Sequence, residues 1–258
     1  MIRLGVCATM DDSSTLAEIG YDYLELNMAQ VGTLSEEDFQ ALLKRAKSAP
    51  IPVYAMNLLL PGARFPLCDQ AALDQEALLA YLRTAFSRAG KLGVKAVSFG
   101  SGAARAMPEG MAKEEGHRLL CGFLRLAAPI ASQNGVCIAI EPLPPRESNI
   151  LNGRAEALAL LEAAAAPGVS VLADLFHMMH SADPIEGIQA GPLAHTHIAE
   201  RERRLFPRAG DSSMAQYEAF FAALKARGYE GGVSLEGRAG DFAADAKAAF
   251  ALLDQLRR

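Results

Sequence analysis

Short apolar runs recur along the chain, each followed by a longer stretch in which apolar positions return with a period near 3.6. The runs at residues 2–8, 21–27, 53–59, 96–101, 136–142, 169–175, 194–199 and 232–236 predict strands. The stretches 35–48, 74–92, 113–134, 154–165, 214–227 and 241–256 predict helices. In 113–134, Leu119, Leu120, Phe123, Leu124, Leu126 and Ala127 make a broad apolar stripe. Glycine closes several helical stretches just before the next strand, at Gly93, Gly135 and the Pro167-Gly168 pair. Lacking a Cβ, glycine takes the left-handed conformation of a helix C-terminus without a clash.

Strands this apolar suit a parallel sheet buried on both faces. Eight strand–helix repeats, with no linker rich in Pro, Gly or Ser between halves, predict an α/β fold: a single (β/α)8 TIM barrel over residues 1–258. A doubly wound open sheet is the rival. It usually needs fewer strands, and no GxGxxG or GxxxxGK[ST] follows any strand here.

Composition agrees with one sizeable core: 258 residues, 51% hydrophobic and 21% charged. Lys plus Arg total 25 against 30 Asp plus Glu, a net charge of −5. That lacks the basic excess of a nucleic-acid binder, although Arg201, Arg203, Arg204 and Arg208 form a local basic group. Cys7, Cys68, Cys121 and Cys137 form no CxxC pair, and Cys7 and Cys137 sit inside apolar runs, which points to a reducing compartment. The N-terminus MIRLGVCATMDDSS has no apolar leader segment, and no run of about 18 apolar residues offers a membrane span. A soluble, cytoplasmic protein is expected, with no nucleic-acid or membrane partner.

In a parallel barrel, the loops that carry chemistry converge at the C-terminal ends of the strands. Glu141 stands at the end of the fifth predicted strand, Asp174 at the sixth with His177 three residues on, His195 and His197 in the seventh, and Glu236 at the eighth. Four of the five histidines lie between residues 177 and 197. Carboxylates at the ends of apolar strands are costly to bury without a cation. Two Glu, one Asp and one His around a common centre suit one divalent ion, Mn²⁺ foremost, with Mg²⁺, Co²⁺ or Zn²⁺ as alternatives. His195 and His197 share a face because strand side chains alternate, so one of the pair is expected to pack or support. Glu25 reads as structural, His117 and His180 as ordinary helix or surface residues, and Phe176, Met178 and Met179 as packing at the barrel mouth.

Residues 140–149, IEPLPPRESN, resemble the fifth-strand motif of xylose-isomerase-like TIM barrels, a superfamily that holds sugar phosphate isomerases and epimerases, ketose 3-epimerases and hydroxypyruvate isomerases. Residues 173–178, ADLFHM, resemble its D-x-F-H-M motif, 195–199, HTHIA, its H-x-H, and 229–236, YEGGVSLE, its last strand. The N-terminal half matches only in strand–helix rhythm. The resemblance implies that Glu141, Asp174, His197 and Glu236 hold one divalent metal. It also implies that His177, Glu147 and an arginine beyond the H-x-H contact substrate oxygens. Arg203, six residues past His197, is the expected arginine, while Pro207 and Gly210 fit the pattern better counted from Arg204. Pro144 replaces a usual Asn and Glu200 a usual Asp, both near the mouth, where they bear on substrate choice.

A metal bridging a sugar carbonyl and its neighbouring hydroxyl acidifies the adjacent C–H and stabilises an enediolate. Glu141 and Glu236, as catalytic residues on opposite faces, could then remove and return a proton. Return to the same carbon gives epimerisation, and return to its neighbour gives aldose–ketose isomerisation. The expected partner is a small sugar or sugar phosphate, with a phosphate contact conceivable in the arginine-rich loop 201–213, and a homo-oligomer is compatible with the fold. A keto-inositol-type dehydratase is an alternative on the same metal site. An abasic-site endonuclease would need further histidines at the third and fourth strands, where the chain reads Met56-Asn57-Leu58 and Ser98-Phe99-Gly100. A non-catalytic barrel would have no need of the ligand set.

Overall fold

The computed structural model describes residues 1–181 and 183–258. In chain order the elements are β1 (Arg3–Cys7), α1 (Ser13–Ile19), β2 (Tyr23–Asn27), α2 (Met28–Thr33), α3 (Glu36–Ser48), β3 (Val53–Asn57), α4 (Gln75–Leu92), β4 (Ala96–Phe99), α5 (Lys113–Gln133), β5 (Cys137–Ile140), α6 (Arg154–Ala164), β6 (Val169–Asp174), α7 (Leu175–Ser181), β7 (His195–Ile198), α8 (Met214–Ala226), β8 (Gly232–Leu235) and α9 (Phe242–Arg257). Short 3-10 turns precede α1 and β7.

All eight strands pair in parallel with their sequence neighbours, and β8 returns to β1, which closes the barrel. This is the expected (β/α)8 architecture. The strands alternate. Leu4, Val6, Leu24, Leu26, Val97 and Leu235 point outward and are buried under the helices, while Tyr23, Glu25, His195, His197 and Ser234 meet inside the barrel. Gly5 has to be glycine, because a Cβ there would enter the ring of Tyr23 on the adjacent strand.

The helices cover the sheet with the stripe that their spacing predicts. In α5, Leu120, Phe123, Leu124 and Ala127 are buried, whereas Leu126 is 41% exposed and lies outside the stripe. Gly93 ends α4 in the left-handed conformation, at φ 85°, with its N–H donated to the carbonyls of Ala89 and Gly90.

The three helices that periodicity does not reveal, α1, α2 and α7, have six or seven residues each, too short to repeat an apolar face. Of these, α7 matters for the site. The sixth strand stops at Asp174 rather than running to residue 175, because the Asp174 carboxylate accepts the backbone N–H groups of Phe176 (2.8 Å) and His177 (3.4 Å). Those groups would otherwise be unpaired at a helix start. The helix then carries His177 back over the strand ends. Among the described residues, no helix is long and apolar enough to cross a membrane.

Candidate active site

The C-terminal ends of β5, β6, β7 and β8 bring Glu141, Asp174, His197 and Glu236 to one centre, and α7 adds His177. His177 Nε2 lies 3.1 Å from Asp174 Oδ2 and 3.5 Å from Glu141 Oε1. His197 Nδ1 lies 3.3 Å from Glu141 Oε1 and 3.4 Å from Glu236 Oε2. One ligand atom from each of Glu141, Asp174, His177 and Glu236 falls within 4.8 Å of all the others. The expected set names one imidazole at this centre; the structure brings two, both within 3.5 Å of Glu141 Oε1.

Three carboxylates in so small a volume need positive charge. Asp174 Oδ2 is buried with no hydrogen-bond partner, although His177 stands beside it. An orphaned carboxylate oxygen among hard oxygen and imidazole donors fits a divalent cation. Burial raises the carboxyl of Asp174 above its ordinary value, and the charges of His177 and Arg204 offset this only in part. Burial also acts against ionisation of Glu141 and Glu236. For Glu141, the hydrogen bond from His197 helps outweigh it, and the carboxyl falls below its usual range. For Glu236, the charge and hydrogen bond of His197, with the charge of Arg204, bring it down to about 2. His197 moves the other way. Burial would lower its pKa, but the charges of Glu25 and Glu236 hold it well above the ordinary histidine value.

Several side chains that sequence reasoning passed over fix these groups. Ser98 Oγ on β4 donates to Glu141 Oε2 at 2.5 Å, and Asn57 Nδ2, the last residue of β3, donates to Glu236 Oε1 at 2.9 Å. The guanidinium of Arg105 is fully buried and donates to the carbonyls of Phe99 (3.1 Å) and Glu141 (2.8 Å), tying the ends of β4 and β5 together. Burial draws its pKa down to about 10. A Cβ on Gly100 would collide with Glu141 Oε2, so the β4 end can press against that carboxylate only as glycine. The available signal was position: Asn57 and Ser98 also lie at or near strand ends, which sequence reasoning inspected only for histidine.

The arginine of the site is Arg204, which corrects the expectation of Arg203. Glu200 accepts the backbone N–H groups of Glu202 (2.8 Å) and Arg203 (2.9 Å), closing a turn in which Arg203 faces solvent. Arg204 then takes a left-handed backbone, at φ 56°, which directs its side chain inward. Its guanidinium pairs with Glu236 Oε2, lies 3.6 Å from Asp174 Oδ2 and 3.8 Å from Glu147 Oε2, and stacks on Phe176. Phe176 packs the mouth as expected, and carries Arg146 as well, at 5.2 Å. His180 is half-buried, with Nε2 against the Arg201 carbonyl at 2.7 Å.

Above this centre opens a cavity of about 550 Å³. Leu58 and Leu143 line its apolar side, while Glu141, His177, Arg204 and Glu236 line its polar floor. Its size suits a small organic ligand. Glu25 is absent from its lining and lies deeper in the barrel, where both its oxygens meet histidines.

Residues 14–257 match the family described as xylose isomerase-like TIM barrel, and the chain belongs to that family. Over 109 residues it is 33% identical to a ketose 3-epimerase of Arthrobacter globiformis; the match covers 41% of this chain and 36% of that protein's length. The solved D-allulose 3-epimerase of Methylomonas sp., in complex with D-allulose, superposes with a TM-score of 0.83 at 20% identity, over 98% of this chain and 96% of that one. The apo 3-keto-D-glucoside 4-epimerase of E. coli does so with a TM-score of 0.79 at 20% identity, over 100% and 99% of the two chains. At these identities the two structures establish the shared fold.

Proposed function

We propose that this protein is a sugar or sugar-phosphate isomerase of the epimerase type, dependent on one divalent metal, that moves a proton between carbon and two glutamates. The observation that carries the reading is the meeting of three carboxylates and two imidazoles, with Asp174 Oδ2 unpartnered; Glu141, His177 and Glu236 line a cavity of about 550 Å³, while Asp174 and His197 are buried and do not line it. The partial match to a ketose 3-epimerase supports the carbohydrate class.

Glu141, Asp174, His197 and Glu236 would hold the ion, with Mn²⁺ the foremost candidate. His177 lines the cavity, whereas His197 is fully buried behind it, which favours His177 as the substrate contact. The ion, when bound, supplies Lewis acidity that polarises a substrate carbonyl. Glu236, with one oxygen held by Asn57 and the other by Arg204, is ionised at neutral pH and takes a proton from the carbon beside that carbonyl. Glu141, fixed by Ser98, would take up a proton from solvent and deliver it to carbon, while Glu236 gives its own to solvent, so that each carboxylate ends the cycle as it began. His177, Arg204 and Glu147 orient the sugar oxygens, and the planar guanidinium neutralises charge that develops there. Return of the proton to the opposite face of the same carbon inverts it; return to the neighbouring carbon isomerises the sugar.

The test is deuterium wash-in. Metal-stripped protein is reloaded with Mn²⁺ or Co²⁺ and incubated in D₂O with ketoses, their phosphates and hydroxypyruvate. Metal-dependent exchange at one carbon of one substrate is the expected result, and its position decides between epimerisation and isomerisation. Full turnover by a Glu236→Gln variant that still binds metal would overturn the two-glutamate proton transfer.

A further inference from the structure

Beneath the carboxylates, a polar chain crosses the interior of the barrel. Glu25 on β2 is 1% exposed, and each of its oxygens is engaged by a histidine of β7. Oε2 lies 2.7 Å from His195 Nε2, and Oε1 lies 2.9 Å from His197 Nε2. His195 Nε2 is also 3.1 Å from Ser234 Oγ, which is 2.8 Å from the Tyr23 hydroxyl. None of these five side chains lines the cavity.

An ionised carboxylate only accepts hydrogen bonds, so the Nε2 atoms of both histidines must carry the hydrogens. For His197, this leaves Nδ1 as the atom with a free electron pair when the ring is neutral, and Nδ1 is the atom that faces Glu141 and Glu236. We propose that Glu25 is a positioning residue for the metal centre: by accepting the Nε2 hydrogen of His197, it aims the Nδ1 electron pair at the ion held by Glu141, Asp174 and Glu236. His195, itself braced by Ser234 and through it by Tyr23, holds the second oxygen of Glu25 and so fixes the plane of its carboxylate. The proposal rests on the metal-centre reading above.

The competing arrangement is a second ion on Cys7, Glu25 and His197, whose ligand atoms also lie within 4.8 Å of one another. Two features oppose it. Both oxygens of Glu25 are already engaged by imidazole N–H groups, and burial, followed by the charge of Glu25, pushes the Cys7 thiol well above its ordinary pKa.

The experiment is a calorimetric Mn²⁺ titration of the full chain and of Glu25→Gln, with circular dichroism to confirm folding. Glutamine accepts from one imidazole and donates toward the other, so it cannot hold both N–H groups. Mn²⁺ affinity is expected to fall roughly 10- to 100-fold, with one ion per chain retained. In ¹⁵N-labelled wild-type protein loaded with Zn²⁺, NMR should find the hydrogen of His197 on Nε2 and the ion on Nδ1. This second measurement decides the matter even if Glu25→Gln does not fold. Unchanged affinity in folded Glu25→Gln, or ligation through Nε2, overturns the proposal. Two ions per chain, with a thiolate charge-transfer band on Co²⁺ loading, overturns it in favour of the Cys7 arrangement. A wild-type chain that binds no ion instead defeats the metal-centre reading, a result distinct from ion binding that ignores Glu25.

Discussion

The guanidinium of Arg204 lies 4.8 Å from the centre of the Phe176 ring while its Nη2 pairs with Glu236 Oε2. The aromatic face and the carboxylate together hold the fork in one plane at the edge of the cavity. A lysine keeps the charge and has N–H donors, but it lacks the rigid planar fork that stacks on the ring while it reaches the carboxylate. Arg204→Lys is therefore expected to lower kcat/KM roughly 10- to 100-fold, the worth of one or two charged hydrogen bonds. Arg203→Ala, at a solvent-facing position, should leave both kcat/KM and melting temperature nearly unchanged. Steady-state kinetics of the two variants on the substrate found by wash-in checks the assignment.

Metal binding should appear as stability. An ion that binds only the folded chain, supplied at a hundred times its dissociation constant, adds about 2.7 kcal/mol. Scanning calorimetry of the stripped protein with and without Mn²⁺ should show the corresponding rise in melting temperature. Asp174→Asn, which removes the charge of a carboxylate whose Oδ2 is unpartnered, should abolish most of that rise.

Gly100 packs against Glu141 with no room for a methyl group. Gly100→Ala is expected to displace the carboxylate and to cost about 1–3 kcal/mol of stability, as forced overpacking does. Urea unfolding measures the cost, and a weaker Mn²⁺ titration would report the displaced ligand.

Arg105 is the buried clasp between β4 and β5. Arg105→Met fills similar space but orphans the carbonyl of Glu141, at about 1–3 kcal/mol for a buried acceptor, while the Phe99 carbonyl keeps the Glu141 N–H at 3.2 Å. The expected outcome is a lower urea midpoint, with the far-ultraviolet circular dichroism of the barrel retained.

Glu200 offers a pH readout for the turn that presents Arg204. Burial raises its carboxyl, but the N–H groups of Glu202 and Arg203 outweigh that and hold it below the ordinary glutamate value. A depressed folded-state pKa contributes stability above the unfolded value, about 4.3, and loses it as pH falls through the folded value. The stability difference between wild type and Glu200→Gln should therefore be constant near neutral pH and shrink below about pH 4.3. Urea unfolding across that range measures it.

The barrel was legible because its signals are local. Each strand is a run of a few apolar residues, and each long helix repeats its apolar face two or more times, so neighbours along the chain suffice to mark them. The helix α7 escaped because Leu175 and Phe176 extend the apolar run of β6, and only the Asp174 carboxylate, capping Phe176 and His177, turns the chain there. Glu141, Asp174, His197 and Glu236 could be named from sequence for a related reason: in a parallel barrel, position at a strand end is enough to place a residue near the centre.

The order of strands, the carboxylates at their ends and the family motifs are thus properties of the sequence by itself. Tertiary structure alone decided which arginine enters the site, because a turn closed by Glu200 gives Arg203 to solvent and Arg204 to the cavity. It alone made Glu25 part of the site's support, by closing the barrel so that its oxygens meet His195 and His197 from 170 and 172 residues away. Periodicity along a chain records which face a side chain takes. Which partner it meets across the barrel depends on closure, which no local run of residues contains.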